Sequence, residues 1–203
     1  MNEVIINIIH TSLIKEKFSF LLSFVDQKRK QKVERLVNEK DKLLSLGAGC
    51  LLKKYLPKGE IKETASGKPY LENGPFFNLS HSGEYAVLAV HQSRDVGVDI
   101  ERINENKLDG IRFVLSEEEK KVVDTNTLFQ IWSNKESLIK CLSTGLKDIK
   151  SVSGLPLEGI RLANNEEYYV KSMIYDNYSL SVTLKGKEPF NLKINLIESL
   201  EEQ

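Results

Sequence analysis

No charge of either sign predominates in this sequence: lysine plus arginine number 29, and aspartate plus glutamate also number 29. That balance excludes a chain-wide attraction to nucleic acid or to an anionic membrane, so any anion site has to be assembled locally. Cysteine is scarce as well. Cys50 and Cys141 are the whole complement, without a CxxC pair or ligand-like spacing. Each falls at an apolar helical position, so buried free thiols in a reducing compartment are expected rather than a disulfide. No apolar run is long enough to cross a bilayer. Met1 to His10 places Glu3 ahead of a short apolar run and has no basic leader, so it reads as a strand and not a secretory signal. These absences give the expectation of a soluble, cytoplasmic protein with no nucleic-acid or membrane partner. At 203 residues, 40% hydrophobic and 29% charged, the chain can form one large domain or two small halves sharing a core.

What is present alternates between two periodicities. Val4 to Ile9 is a β-prone run. From Asp26, a fitting N-cap, to Tyr55, the residues Val33, Leu36, Val37, Leu43, Leu44, Leu51 and Leu52 recur at helical spacing. Pro57-Lys58-Gly59 is the stop, and Asn38 is a point of division. Gly47 and Gly49 weaken this helix and mark close packing. Phe76–Leu79, Tyr85–Val90 and Val96–Ile100 read as an antiparallel meander, with turn chemistry at Ser80–Gly83 and Gln92–Asp95. Helices return after Asn104, where Ser116-x-x-Glu119 is a capping-box signature and Asn126 to Leu142 a second helical pattern. Tyr168–Tyr175 and Tyr178–Leu184 form a hairpin around Asp176-Asn177. Glu198 to Gln203 reads as a frayed acidic tail. The predicted class is α+β, with halves 1–104 and 105–203 meeting near Arg102 to Lys107.

Three segments carry chemistry. In Val96-Gly97-Val98-Asp99-Ile100-Glu101, alternation puts Asp99 and Glu101 side by side on one face, with Gly97 expected to leave open space beside them. Two adjacent carboxylates repel unless a cation lies between them, and oxygen ligands suit Mg²⁺; a merely solvated strand face is the plainer alternative. In Ile131 to Lys140, Lys135 falls in the middle of an apolar arc, where an ammonium needs a partner. Glu136 and Lys140 share a face at the edge of that arc, as an exposed helical pair would, and the helix reads as the wall of a site. In Asn78 to Gly83, small hydroxyl residues in a tight turn expose backbone N–H groups, and His81 can donate to a phosphate oxygen or be a structural histidine. Lys68 sits on the turn Gly67-Lys68-Pro69. Lys28, Arg29, Lys30, Lys32 and Arg35 cluster at a helix start, a pattern that also fits a solvated face.

Taken in order, GKPY, FNLSHSGEYAVLAV, GVDIE and WSNKESLIK resemble the signature of the 4′-phosphopantetheinyl transferase superfamily, in its larger, single-chain type that activates surfactin synthetase and similar assembly lines. The resemblance runs from about Lys28 to Leu146. It implies a pseudo-dimeric α+β fold of two similar halves with coenzyme A in the cleft between them, and a monomer. It implies a metal site of Asp99, Glu101 and Glu136 for Mg²⁺ or Mn²⁺, with Lys140 near the reacting phosphate and Asp99, Glu136 and Lys140 as the catalytic set. It assigns Ser80, His81, Lys68 and Lys140 to coenzyme A contacts, Arg29 and Lys32 to the nucleotide 3′-phosphate, and Ser45 to a nearby hydroxyl contact. Relatives often carry arginine where Leu44 lies, a departure for which Lys42 is the candidate compensation. Ile111 to Val123 and the loop near Tyr70 are implied to receive an acyl or peptidyl carrier protein.

The expected reaction is attack of a carrier serine on the β-phosphate of coenzyme A, releasing 3′,5′-ADP, with Glu136 either completing the metal shell or accepting the serine proton. Two other classes compete: a non-catalytic coenzyme A or nucleotide-binding module, and a metal-dependent phosphatase or nuclease. The first would have lost a metal acid or the helix lysine, and all are present. The second is disfavoured as a nuclease by the neutral net charge.

Overall fold

The computed structural model describes residues 2–200, apart from the side chain of Leu146. Strand β1 (Glu3–His10) leads into helices α1 (Thr11–Glu16), α2 (Phe18–Phe24), α3 (Gln27–Arg35) and α4 (Glu39–Tyr55). Strands β2 (Ile61–Glu63), β3 (Pro69–Leu71), β4 (Phe76–Ser82), β5 (Tyr85–His91) and β6 (Val96–Arg102) follow. Then come α5 (Leu108–Val114), α6 (Thr125–Leu142), β7 (Glu158–Ala163), β8 (Glu166–Tyr175), β9 (Tyr178–Lys185) and β10 (Asn191–Ile197). Among the described residues no helix is long and apolar enough to cross a membrane.

The expected helical division at Asn38 is present: its side chain accepts from the Lys40 and Asp41 amides and starts α4, as Asp26 accepts from Arg29 N and starts α3. Each side-chain oxygen takes up an amide the first turn would otherwise leave unpaired. The hairpin around Asp176-Asn177 is also as read, with Asp176 at φ 53°.

Two four-stranded sheets form, in the orders β10-β1-β5-β4 and β6-β9-β8-β7, with β2–β3 as a separate hairpin. The expected meander stops after two strands. β4 and β5 pair, but β6 pairs with β9 in the other sheet. β10 in turn returns to run parallel to β1. β6 thus lies before, and β10 after, the boundary read near residues 102–107, and each pairs with the sheet formed by the other part of the chain.

Strand alternation produces the layers. Val4, Ile6, Ile8, Val87 and Ala89 of the first sheet meet Val96, Val98, Ile100, Leu180, Val182 and Leu184 of the second in one core. The opposite face of the first sheet, with Ile9, Ala86, Leu88 and Val90, packs on α1 to α4. The opposite face of β9 carries Ser179, Ser181 and Thr183, which meet Ser133 and Ser137 of α6 in a buried hydroxyl ladder at 2.6–2.8 Å. The order is helices, sheet, sheet, helix, a mixed α+β architecture consistent with the expected two-half fold. Burying one such Leu or Ile side chain stabilises by roughly 1.5–3 kcal/mol.

Gly97 leaves no open space. A Cβ there would collide with the Ser137 carbonyl oxygen and come within 2.6 Å of Cys141 N, so the glycine lets the backbone of α6 lie against β6. The tail read from Glu198 differs at Leu200, which is buried in the same core as Ile197 of β10, while Glu198 and Ser199 are exposed and residues 201–203 lie outside the described part.

Candidate active site

The two sheets meet where β4, the edge of one, lies beside β6, the edge of the other. An edge strand exposes amides that need partners, and the alternation of Asn78, Ser80 and Ser82 supplies them. Val98 N donates to Asn78 Oδ1 (3.0 Å), Ile100 N to Ser80 Oγ (3.3 Å) and Arg102 N to Ser82 Oγ (3.1 Å). Side chains therefore stitch a seam that backbone pairing does not. This corrects the tight turn read at Ser80–Gly83. Ser80, His81 and Ser82 are strand residues paired with Val87, Ala86 and Tyr85, so the ladder occupies this stretch and the hydroxyls, not a nest of free amides, face the site.

The same serines hold the acids of β6. Ser80 Oγ donates to Asp99 Oδ1 at 2.9 Å and Ser82 Oγ to Glu101 Oε2 at 2.9 Å. Helix α6, capped by Asp124 accepting from Thr127 N, brings Glu136 and Lys140 to the same place. Lys140 Nζ lies 2.6 Å from Asp99 Oδ1, 3.0 Å from Ser80 Oγ and 3.6 Å from Glu136 Oε2. Lys107, which the sequence did not single out, pairs with Glu101 at 3.0 Å.

Charge is strained here in opposite directions. Burial raises the Glu136 carboxyl to about 7, with Asp99 adding to the rise and Lys140 opposing it. Burial works against the Lys140 ammonium, yet Asp99 and Glu136 outweigh it and hold Lys140 above its ordinary range. At the cleft wall, loss of solvent and then Lys140 lower the His81 imidazole, which favours its neutral form.

These groups floor a cleft of about 960 Å³ whose far wall is the basic face of α3. Nine of the ten predicted site residues line it: Arg29, Lys32, Ser45, Ser80, His81, Asp99, Glu101, Glu136 and Lys140. Arg29 reaches in over Gly49, where a Cβ would come within 2.6 Å of its Cγ, and its Nη1 stands 3.5 Å from both oxygens of Ser45. The tenth, Lys68, lines a separate cavity of about 660 Å³ beside Tyr70 and Phe76. Its ammonium donates to the Cys141 carbonyl (3.2 Å) and pairs with Asp95 (3.6 Å). The negative end of α6 attracts it there, which is why it does not reach the cleft in this structure. Leu44 is buried, and Lys42 is not among the lining residues.

Gln31, Asp41 and Glu63 also line the cleft. Glu63 arrives on the β2–β3 hairpin and closes the rim through Lys28 at 3.4 Å, a contact between residues with no shared local pattern.

Lys135 has no place in the cleft. It is wholly buried, 3.0 Å from Glu119, and donates to Val152 O at 2.6 Å. Glu119 makes the predicted capping box, with Ser116 N on its Oε2 (2.7 Å) and its own amide on Ser116 Oγ (3.2 Å), around a 3-10 turn rather than an α-helix.

Among the described residues no three acid, histidine or cysteine groups form a ready metal cage. The donor set nevertheless suits a divalent cation: all oxygens, three carboxylates on one cleft wall, and Asp99 Oδ2 buried without a partner.

An α+β protein with a basic wall opposite a carboxylate floor in one cleft is the class this geometry defines. Comparison with known proteins narrows it. Residues 95–187 match the profile of the 4′-phosphopantetheinyl transferase superfamily, and residues 12–93 that of the N-terminal part of a 4′-phosphopantetheinyl transferase. The chain is 30% identical to 4′-phosphopantetheinyl transferase ffp of Bacillus subtilis over 76% of its own length and 73% of that protein. It is 26% identical to 4′-phosphopantetheinyl transferase Sfp of Bacillus subtilis strain 168, over 82% of its length and 79% of that protein. To 4′-phosphopantetheinyl transferase gsp of Aneurinibacillus migulanus it is 33% identical, over 64% of its length and 60% of the relative. The chain belongs to the 4′-phosphopantetheinyl transferase superfamily.

Proposed function

We infer that this chain is a 4′-phosphopantetheinyl transferase that moves the phosphopantetheine arm of coenzyme A to a serine of a carrier protein. One observation carries the residue assignments: Asp99, Glu101, Glu136 and Lys140, from β6 and α6, converge on one cleft opposite the cations of α3. Arg29 and Lys32 suit the nucleotide's 3′-phosphate, and His81, as a neutral donor, suits a phosphate oxygen. Asp99, Glu101 and Glu136 would hold Mg²⁺, or Mn²⁺ in its place, which would supply charge neutralisation on the diphosphate.

The carrier serine oxygen forms a bond to the β-phosphorus of coenzyme A. The bond from that phosphorus to the bridging oxygen breaks, and 3′,5′-ADP leaves. Glu136 either completes that metal shell or takes the hydroxyl proton, and without a cation beside it burial and Asp99 raise its carboxyl to about 7, a range that suits the second role near neutral pH. Lys140, kept charged by its acid neighbours, faces the charge that builds on the departing phosphate. Exposed Phe113, with Lys150 3.8 Å over its ring, lies in the segment that suits an acidic carrier. Buried Cys50 and Cys141, each raised to about 12 by burial, fit a reducing cytoplasm, and a monomer remains the form the larger single-chain type suggests.

The test is mass spectrometry of an apo carrier protein after incubation with the chain, coenzyme A and Mg²⁺. Gain of one phosphopantetheine group is expected; an unchanged mass across acyl and peptidyl carriers refutes the assignment.

A further inference from the structure

Each acid of β6 is held through one oxygen, by one serine of β4 and one lysine. On Asp99 the held atom is Oδ1, bonded by Ser80 and Lys140. On Glu101 it is Oε2, bonded by Ser82 at 2.9 Å and Lys107 at 3.0 Å. Asp99 Oδ2 is buried without a partner, and the Ser82 and Lys107 bonds to Glu101 both fall on its Oε2.

Ser82 is itself fixed. Its oxygen accepts from Arg102 N at 3.1 Å, so its single proton is directed to the carboxylate one residue earlier on β6. The buried seam therefore sets the position of Glu101. Lys107 is different in kind, because its side chain is 51% exposed and water screens its pairing.

We propose that Ser82 is a positioning residue for a divalent cation: by bonding Oε2 it fixes the carboxylate of Glu101, which would be one of the acids that hold the ion. This rests on the metal site assigned under the proposed function and adds a residue to it. Outer hydrogen-bond partners of metal-ligating carboxylates typically change metal affinity about 10- to 100-fold when removed.

The experiment titrates Mn²⁺ onto the full chain saturated with coenzyme A and reads bound metal by electron paramagnetic resonance, with melting temperature recorded alongside. Ser82→Ala is expected to weaken Mn²⁺ binding about 10-fold or more. Ser82→Cys, which keeps the size but donates poorly, should lose similarly and stands in if the alanine variant does not fold. Ser82→Thr should recover near-native affinity, and Lys107→Met should stay within about threefold of it. Native Mn²⁺ affinity in both Ser82→Ala and Ser82→Cys, in a chain whose wild type modifies a carrier, overturns this inference and leaves the functional reading standing. Weakened Mn²⁺ binding in both variants, in a chain whose wild type modifies no carrier, supports the inference and sinks the functional reading alone.

Discussion

Lys140 Nζ lies 2.6 Å from Asp99 Oδ1, across the line where α6 meets the edge of β6. The pair brings together two segments 41 residues apart and sets the charge of the cleft floor, because the same ammonium also faces Glu136. Lys140→Met should lower kcat by about 10²–10³, the usual loss when a donor aimed at developing charge is removed. Steady-state kinetics with a carrier protein check this, with circular dichroism confirming that the fold is kept. An unchanged kcat would remove Lys140 from the chemistry.

Arg29 is placed by Gly49 and Ser45 on the cationic wall. Arg29→Ala should raise KM for coenzyme A about tenfold, roughly 1.4 kcal/mol, with a smaller change in kcat. The loss should shrink for coenzyme A lacking its 3′-phosphate, and equal losses for the two substrates would move Arg29 away from that phosphate.

The Glu119–Lys135 pair is a stability device. Burial alone would raise the Glu119 carboxyl, but the Gly154 and Ser116 amides and Lys135 outweigh it and hold the pKa below the ordinary range. A carboxyl whose folded pKa is depressed adds stability that is present above its unfolded value and lost as pH falls through the folded one. Urea unfolding of Glu119→Gln should therefore show a flatter decline than wild type on the acid side of pH 4.5. Lys135→Met, which leaves a buried carboxylate unpaired, should cost about 3–5 kcal/mol near neutral pH, and any lost activity should follow the lost stability. Lost activity with native stability would place Lys135 in the site.

Gly97 admits the backbone of α6. Gly97→Ala should destabilise by about 1–3 kcal/mol, measured by urea unfolding, and should also lower activity because the helix it displaces carries Glu136 and Lys140. Native stability would show that α6 can shift freely.

What the sequence disclosed was local periodicity. The two-residue alternation of β6 placed Asp99 and Glu101 together, the helical arc of α6 isolated Lys135 as needing a partner, Asp26 and Ser116 marked caps that the structure contains, and Asn38 marked the division that its side chain makes by capping α4. What it hid was non-local. β10 pairs with β1 across nearly the whole chain, with Asn195 bonded to Asn7 188 residues away, and no pattern within either strand says so. The serines of β4 looked like a turn because serine favours turns. Their real task, capping the edge of β6, exists only once the two sheets meet. Gly97 was read as open space for the same reason: the atoms that fill it belong to a helix 40 residues later. Lys68 went elsewhere because the end of α6 competes for its charge.

The most direct test measures 3′,5′-ADP and modified carrier together, in one reaction with coenzyme A and Mg²⁺, for wild type and Asp99→Asn. Equal amounts of nucleotide and holo-carrier from wild type, and neither from a folded Asp99→Asn, are the predicted result. Nucleotide released while the carrier mass stays unchanged, or full transfer by Asp99→Asn, would contradict it.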